Sequence, residues 1–275
     1  YPSFAKGSTI LQLPKGENYY EDYSMWDTYR ALHPLLNIIS TKKSGEMMQS
    51  LVMKYEQGGW LPRFPCWNSY TAAMIGDHSI SVLADAYCKG IRNFDTEKAY
   101  EAMRKNAFTS PASFDEYKDG MGRRALKSYM KYGYIPLEDS VNEAFHTNEQ
   151  VSKTLEYAYD DYCIATFAKA IGNSEKYAIF SQRSNNWKNL FDPETKFIRP
   201  RRNGRFLTPF DPREVNNHYT EANAWQYTFF VPQDIAGLIK KVGGQAAFKE
   251  KLNQLFSENS ATSGREQADI TGLVG

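Results

Sequence analysis

The sequence offers little from which to build a covalent or metal framework. Its three cysteines, Cys66, Cys88 and Cys163, are widely spaced, and no CxxC or Cys/His ligand spacing accompanies them. That argues against disulfides and structural zinc and leaves ordinary buried or half-buried thiols. A charge bias is missing too. The 33 Lys and Arg nearly balance 32 Asp and Glu, leaving a net charge of +1 and no basic field for nucleic acid or anionic lipid. No run of 18 apolar residues occurs, which argues against a membrane span. Glycine-rich phosphate loops, dinucleotide fingerprints and a GxSxG elbow are absent, so neither nucleotide binding nor a serine triad is supported. Tyr1 is the first residue and no signal-like stretch follows. The expectation is a processed, trimmed or partial chain that carries no address of its own.

What is present is hydrophobic content of 41%, enough for a packed core, and an aromatic share of 15% that exceeds what a core requires. Flat rings with a polar tip suit concave sites for sugars and other polar organic ligands. The 275 residues fit one large domain or two ordinary ones.

Apolar spacings of three and four predict a succession of helices. One runs over 24–39, kinked or shortened by Pro34, and another over 45–57, stopped at Gly58-Gly59. Asp77 is placed to cap a third that ends at Gly90, and Asp95 or Thr96 opens a fourth through Ala107. A short helix is expected over 123–132. The clearest element is 151–170, with Leu155, Tyr159, Tyr162, Phe167 and Ala170 on its apolar face and Gly172 beyond its end. Ser174 is expected to cap a helix to about Leu190; a further helix start at 221 is interrupted by Pro232, and helices over 234–242 and 245–256 follow with Gly243-Gly244 between them. Little reads as strand, so the fold class is all-α. Long connectors at 58–76, 107–122, 133–150 and 192–220 are where function is expected, and a toroid of helical hairpins would gather such loops on one rim.

Four clusters could carry chemistry. Trp26-Asp27 with Arg30 could stack on a sugar ring and grip its hydroxyls; the plainer reading is a core Trp beside a first-turn Asp. Trp60 to His78 contains Arg63, Trp67, Asn68, Asp77 and His78, where Asp77 reads as an N-cap and His78 as a surface histidine. Glu156 and Asp160 share a helix face with Asp161 adjacent, and if buried they require a cation, an arginine or a substrate. The richest is 216–227, NNHYTEANAWQY, with His218, Glu221, Asn223, Trp225 and Gln226. An aromatic wall there would keep the Glu221 carboxyl protonated, as a general acid needs, while Asn and Gln amides hold sugar hydroxyls. Alternatively Glu221 is simply a first-turn acid favoured by the helix dipole. Arg199, Arg201, Arg202 and Arg205 read as a solvated loop, and His33 and His146 as structural. Carboxylates and aromatics on loops of a helical protein suit glycoside hydrolysis or carbohydrate binding.

The strings SMWDTYRALHPLL, GGWLPRFP, MIGDHSISVLADAYCKGIRNFD, TLEYAYDDYCIA and HYTEANAWQYTFFVPQDIAGLI, in this order from about Tyr20 to Val242, resemble the catalytic domain of glycoside hydrolase family 92, the exo-α-mannosidases. The resemblance implies an (α/α)6 toroid, incomplete in this chain, so that residues 1–275 are a partial catalytic domain without its N-terminal β-sandwich. It implies removal of terminal α-mannose from a mannose-containing glycan with inversion, with Glu221 as general acid and a calcium ion assisting. Asn223, Gln226, Trp26 and Asp27 would contact sugar, and Asp77, His78 and Arg63 less directly. The family more often reads EGNAWQY, so Ala222 is a departure. An HxNEP-type motif with the calcium ligands and a GN-D/E-D-type motif with the catalytic base are expected beyond residue 275, so no metal ligand is assigned here. Inversion needs acid and base carboxyls roughly 6.5–9.5 Å apart, and these residues alone are therefore expected to show no turnover and no tight calcium site. The remainder of the enzyme or another chain would be the partner, and a secreted, periplasmic or cell-envelope location is implied. Two rivals stand: an inactive, truncated remnant that at most binds mannosides, and a toroid of the glucosidase or trehalase class.

Overall fold

The computed structural model describes residues 1–139, 146, 148–258 and 261–264. Helices α1 (Met25–Thr28), α2 (Leu32–Ile39), α3 (Thr41–Gly58), α4 (Ser79–Cys88), α5 (Thr96–Phe108) and α6 (Phe114–Lys118) come first. After them come α7 (Leu126–Tyr132), α8 (Gln150–Ala170), α9 (Ser174–Arg183), α10 (Ala224–Thr228), α11 (Ile235–Val242) and α12 (Gln245–Ser257). Two-residue strands complete the described residues: Arg201–Arg202 pairs antiparallel with Arg205–Phe206, and Glu214–Val215 parallel with Ser263–Gly264. The chain is helix-rich, as its apolar spacing requires.

The chain divides into two compact units. The first comprises residues 1–126, 143–146 and 160–182; the second comprises 127–142, 147–159 and 183–275.

In the first unit the helix expected over 24–39 is two helices. Pro34 sits in the first turn of α2, where its missing N–H lies among those a helix leaves unpaired. Helix α2 buries His33 and Asn37 and exposes Leu32, Leu35, Ile38 and Ile39, so Leu32 is not a core residue. Asn37 donates to Asp85 Oδ2 (2.7 Å), which satisfies the buried amide. Helix α3 begins at Thr41, earlier than expected, and ends as expected with Gly59 left-handed at φ 90°. Asp95 caps α5 by accepting from the Lys98 N–H (2.9 Å).

In the second unit Trp187, Leu190, Phe197, Ile198, Tyr219, Trp225, Val231 and Leu238 lie in one apolar core. Asp234 caps α11, and Gly243 and Gly244, both left-handed, separate α11 from α12 as predicted. Helix α9, which belongs to the first unit up to Gln182, is expected to run from Ser174 to Leu190 but stops at Arg183; Asn173 Oδ1, not Ser174, accepts from the Lys176 N–H, and a 3₁₀ turn follows at Asn186–Asn189. Helix α8, which belongs to the second unit up to Tyr159 and to the first from Asp160, departs most from its expected pattern. Tyr162 and Ala170 are exposed, whereas Lys153, Glu156, Asp160 and Asp161 are buried. Cys66, Cys88 and Cys163 form no disulfide, and Cys88 is exposed.

Candidate active site

In the first unit the paired acids of α8 are fully buried, and the arginine that compensates two of the buried carboxylates is Arg123. Its Nε donates to Asp77 Oδ2 (2.9 Å) and its Nη1 to Asp161 Oδ1 (2.7 Å). Asp77 Oδ1 accepts from Asn106 Nδ2 (3.0 Å), and the Asp77 N–H donates to Asp160 Oδ2 (2.8 Å). His78 Nδ1 lies 3.1 Å from Asp160 Oδ1. Burial raises the Asp77 carboxyl against the pull of Arg123. Asp77 is therefore a buried ion-pair partner rather than the N-cap of α4, and His78, which occupies the cap position, is buried rather than on the surface.

The His78 ring stacks on Tyr29 (4.0 Å, 14°), and the Arg30 guanidinium lies 4.9 Å from the Tyr29 ring and 5.1 Å from that of Trp26. Trp26 is half-buried and Asp27 is exposed, accepting from the Ser24 hydroxyl. Arg63 is buried and donates to the carbonyls of Met74, Gly120 and Gly122, which makes it a loop strut. Sequence reasoning missed Arg123, Asn106 and the Tyr29–His78 stack. The demand of buried carboxylates for a cation was legible; which arginine meets it, 38 residues from Asp161, was not.

In the second unit Glu221 sits two residues ahead of the N-cap of α10, not in a first turn. Its backbone is left-handed (φ 48°), an unusual conformation for a side chain of this size. Ala222 is buried and is not among the left-handed residues, so replacing the family's usual glycine leaves no strain there. Residues on both sides pin Glu221. The Glu149 and Val151 N–H groups donate to the Asn217 and His218 carbonyls (2.7 and 3.2 Å), and the Thr220 N–H to Ser152 Oγ (2.8 Å). Downstream, Asn223 and Gln226 form a reciprocal capping box (3.1 and 3.3 Å). Their carbonyl oxygens are thus engaged with the backbone, and Asn223 is fully buried. Trp225 packs edge-on against Phe197 (4.8 Å), with Lys251 Nζ 4.8 Å from its ring. Burial lowers the His218 imidazole. Of the arginine loop, Arg199 is buried and paired with Asp192 (2.6 Å), so it is not solvated.

Among the described residues no three His, Cys, Asp or Glu side chains converge as a metal site. The Asp77, Asp160 and Asp161 carboxylates are already engaged by Arg123, Asn106, His78 and a backbone N–H, and do not fit calcium.

Residues 2–274 match the family model of the glycosyl hydrolase family 92 catalytic domain. The chain belongs to this family. A family 92 α-mannosidase of Bacteroides thetaiotaomicron, solved with mannoimidazole bound, is 36% identical with a TM-score of 0.80 over 92% of this chain and 32% of that one. A family 92 inverting mannosidase of the same organism is 32% identical with a TM-score of 0.77 over 87% of this chain and 31% of its own. An uncharacterized secreted glycosidase of Arthroderma benhamiae is 33% identical over 254 residues, 82% of this chain and 32% of that protein. The chain thus spans about a third of the length of these family 92 relatives. No helix among the described residues is long and apolar enough to cross a membrane.

Proposed function

We propose that these residues carry the general-acid part of an inverting exo-α-mannosidase, in which Glu221 protonates the glycosidic oxygen as the mannosyl bond breaks. The observation that carries this reading is the left-handed backbone of Glu221, fixed between the start of α8 and the Asn223/Gln226 box. A strained, over-determined backbone position in a loop is where function is to be sought. Membership of family 92 and the likeness to an α-mannosidase holding mannoimidazole and to an inverting mannosidase support the chemistry. In this reading Trp26 and Asp27 contact sugar through their ring and carboxylate. Asn223 and Gln226 act by holding the acid's loop, since their carbonyl oxygens serve the cap; Asp77, His78 and Arg63 are scaffold.

The helices are proposed to be part of an (α/α)6 toroid. The catalytic base, the calcium ion with its ligands and a β-sandwich are assigned to sequence outside these 275 residues, and no step is derived through the metal. A secreted or cell-envelope location follows the secreted description of the fungal relative.

The test uses the full-length protein. Glu221→Gln is expected to lower kcat on a mannobiose by about 10²–10⁴-fold, and far less on a dinitrophenyl α-mannoside, whose leaving group needs no proton. Equal losses on both substrates would make Glu221 a structural residue. Mannose binding without turnover by the unaltered protein would favour the inactive, mannoside-binding reading.

A further inference from the structure

Trp67 is the most exposed large apolar side chain among the described residues, at 84%. A single exposed apolar residue needs no explanation; this one's backbone does. Cys66 and Ser69 exchange backbone hydrogen bonds (both 3.1 Å) across a two-residue turn, and both central residues, Trp67 and Asn68, are left-handed (φ 53° and 54°). That is the pattern of a type I′ turn, whose first central position favours Asn, Asp or Gly. Asn68 is suited to it and Trp67 is not.

The strain is held in place from several directions. The Trp67 N–H donates to Asp22 Oδ1 (2.9 Å), Asn68 Nδ2 to the Ser3 carbonyl (2.9 Å), the Ala5 N–H to the Asn68 carbonyl (3.0 Å), and the Tyr23 N–H to the Pro65 carbonyl (3.0 Å). Among the described residues the indole makes no aromatic or cation–π contact of its own. The groups bonded around the turn are polar, and Asp22, Glu21 and Ser69 are exposed. An interface with a second protein needs a broad apolar area. An exposed indole on a fixed backbone, with a carboxylate at its foot, fits a smaller ligand, the apolar face of a pyranose whose neighbouring hydroxyls can donate to that carboxylate.

We propose that Trp67 and Asp22 form a sugar-binding platform for a pyranose unit of a glycan, taken as an α-mannoside because the inference rests on the function proposed above. The ring supplies the stacking face, Asp22 accepts from ring hydroxyls and holds the turn, and the left-handed backbone keeps the indole presented before ligand arrives, which lowers the entropy lost on binding.

The test compares the full-length protein with its Trp67→Asn and Trp67→Phe variants, using affinity electrophoresis in yeast mannan, the shift of the Trp67 indole N–H resonance on adding mannotriose, and thermal unfolding. Asn suits the turn, so Trp67→Asn is expected to melt at or above the parent's temperature while mannan retardation falls at least fivefold and Trp67→Phe keeps part of it. Unchanged retardation in Trp67→Asn overturns the proposal, as does a lower melting temperature, which would make the indole a packing residue. A dimer that dissociates in Trp67→Asn also overturns it, by assigning the ring to a contact between copies. Retardation by galactan in place of mannan refutes the mannoside assignment of this platform. It leaves the Glu221 reading untouched, because that is read from turnover.

Discussion

At the scale of single residues, the backbone at Glu221 makes a prediction that separates chemistry from stability. A residue at φ 48° is relieved by glycine, which enters the left-handed region without steric penalty. Glu221→Gly is therefore expected to leave stability unchanged or raise it by up to about 1 kcal/mol, with a corresponding shift of the urea midpoint, while removing the carboxyl proposed as proton donor. A loss of several kcal/mol would instead mean that the Glu221 carboxylate supports the fold. The same residue shows what the sequence could and could not disclose. The string TEANAWQY singled out the acid and its neighbours by type. It could not show that Asn223 and Gln226 turn their carbonyl oxygens to the backbone of α10, because an amide near a carboxylate looks the same whether it faces a sugar or a helix end. Asp77 and His78 misled for a similar reason: an Asp before a helical run reads as a cap, and only the fold brings Arg123 to it.

At the scale of elements, helix boundaries were legible where the chain carries its own signal, a start at Asp95 and stops at Gly58-Gly59, Gly172 and Gly243-Gly244. Which face of a helix is buried was not legible where tertiary context decides: α8 keeps the bounds its sequence predicts, but it is nearly surrounded, so polar residues lie inside as well. What holds the acids of its latter half is the buried arrangement around Arg123. Arg123→Leu leaves Asp77 and Asp161 buried without their cation, and the expected loss is about 3–5 kcal/mol, measured as a fall in urea midpoint. A loss under about 1 kcal/mol would show that these carboxylates reach water or another cation. For α10, Asn223→Ala removes one limb of the capping box and is expected to cost about 0.5–2 kcal/mol. Gln226→Ala is expected to cost less, because its side chain serves the cap's own N–H rather than the helix interior.

At the scale of the whole molecule, buried bases tie stability to pH. Burial pushes the Lys54 ammonium down to about 7, against the opposing pull of Glu21 and Asp22, and the Lys251 ammonium down to about 8. Burial also lowers His33 to about 4, with Asp85 opposing. Lys54 is fully buried: its Nζ donates to the Tyr20 carbonyl (2.5 Å) and lies 4.0 Å from the Tyr19 ring and 5.1 Å from that of Tyr23. Lys251 Nζ lies 3.3 Å from the Phe197 ring. Above its lowered value each of these amines is neutral in the folded chain but still protonated in the unfolded one, up to the usual value of about 10.5. The unfolded state then binds more protons, so stability rises with pH across that window, by up to about 1.4 kcal/mol per pH unit for one such lysine. His33 has the same sign between about 4 and the usual 6.5. Above about pH 10 the direction reverses, because burial holds the hydroxyl protons of Tyr23, Tyr70 and Tyr219 in the folded state after the unfolded chain has released them. Urea unfolding of the chain at about pH 6.5 and about pH 9 should therefore give the higher midpoint at the alkaline value. In Lys54→Met, which removes the titrating group and roughly keeps its volume, the rise should shrink, with the midpoint near pH 6.5 at or above the parent's, since removing a desolvated charge offsets the lost carbonyl contact. An undiminished rise in Lys54→Met would mean that Lys54 keeps its proton throughout, its charge balanced by the rings and by Glu21 and Asp22.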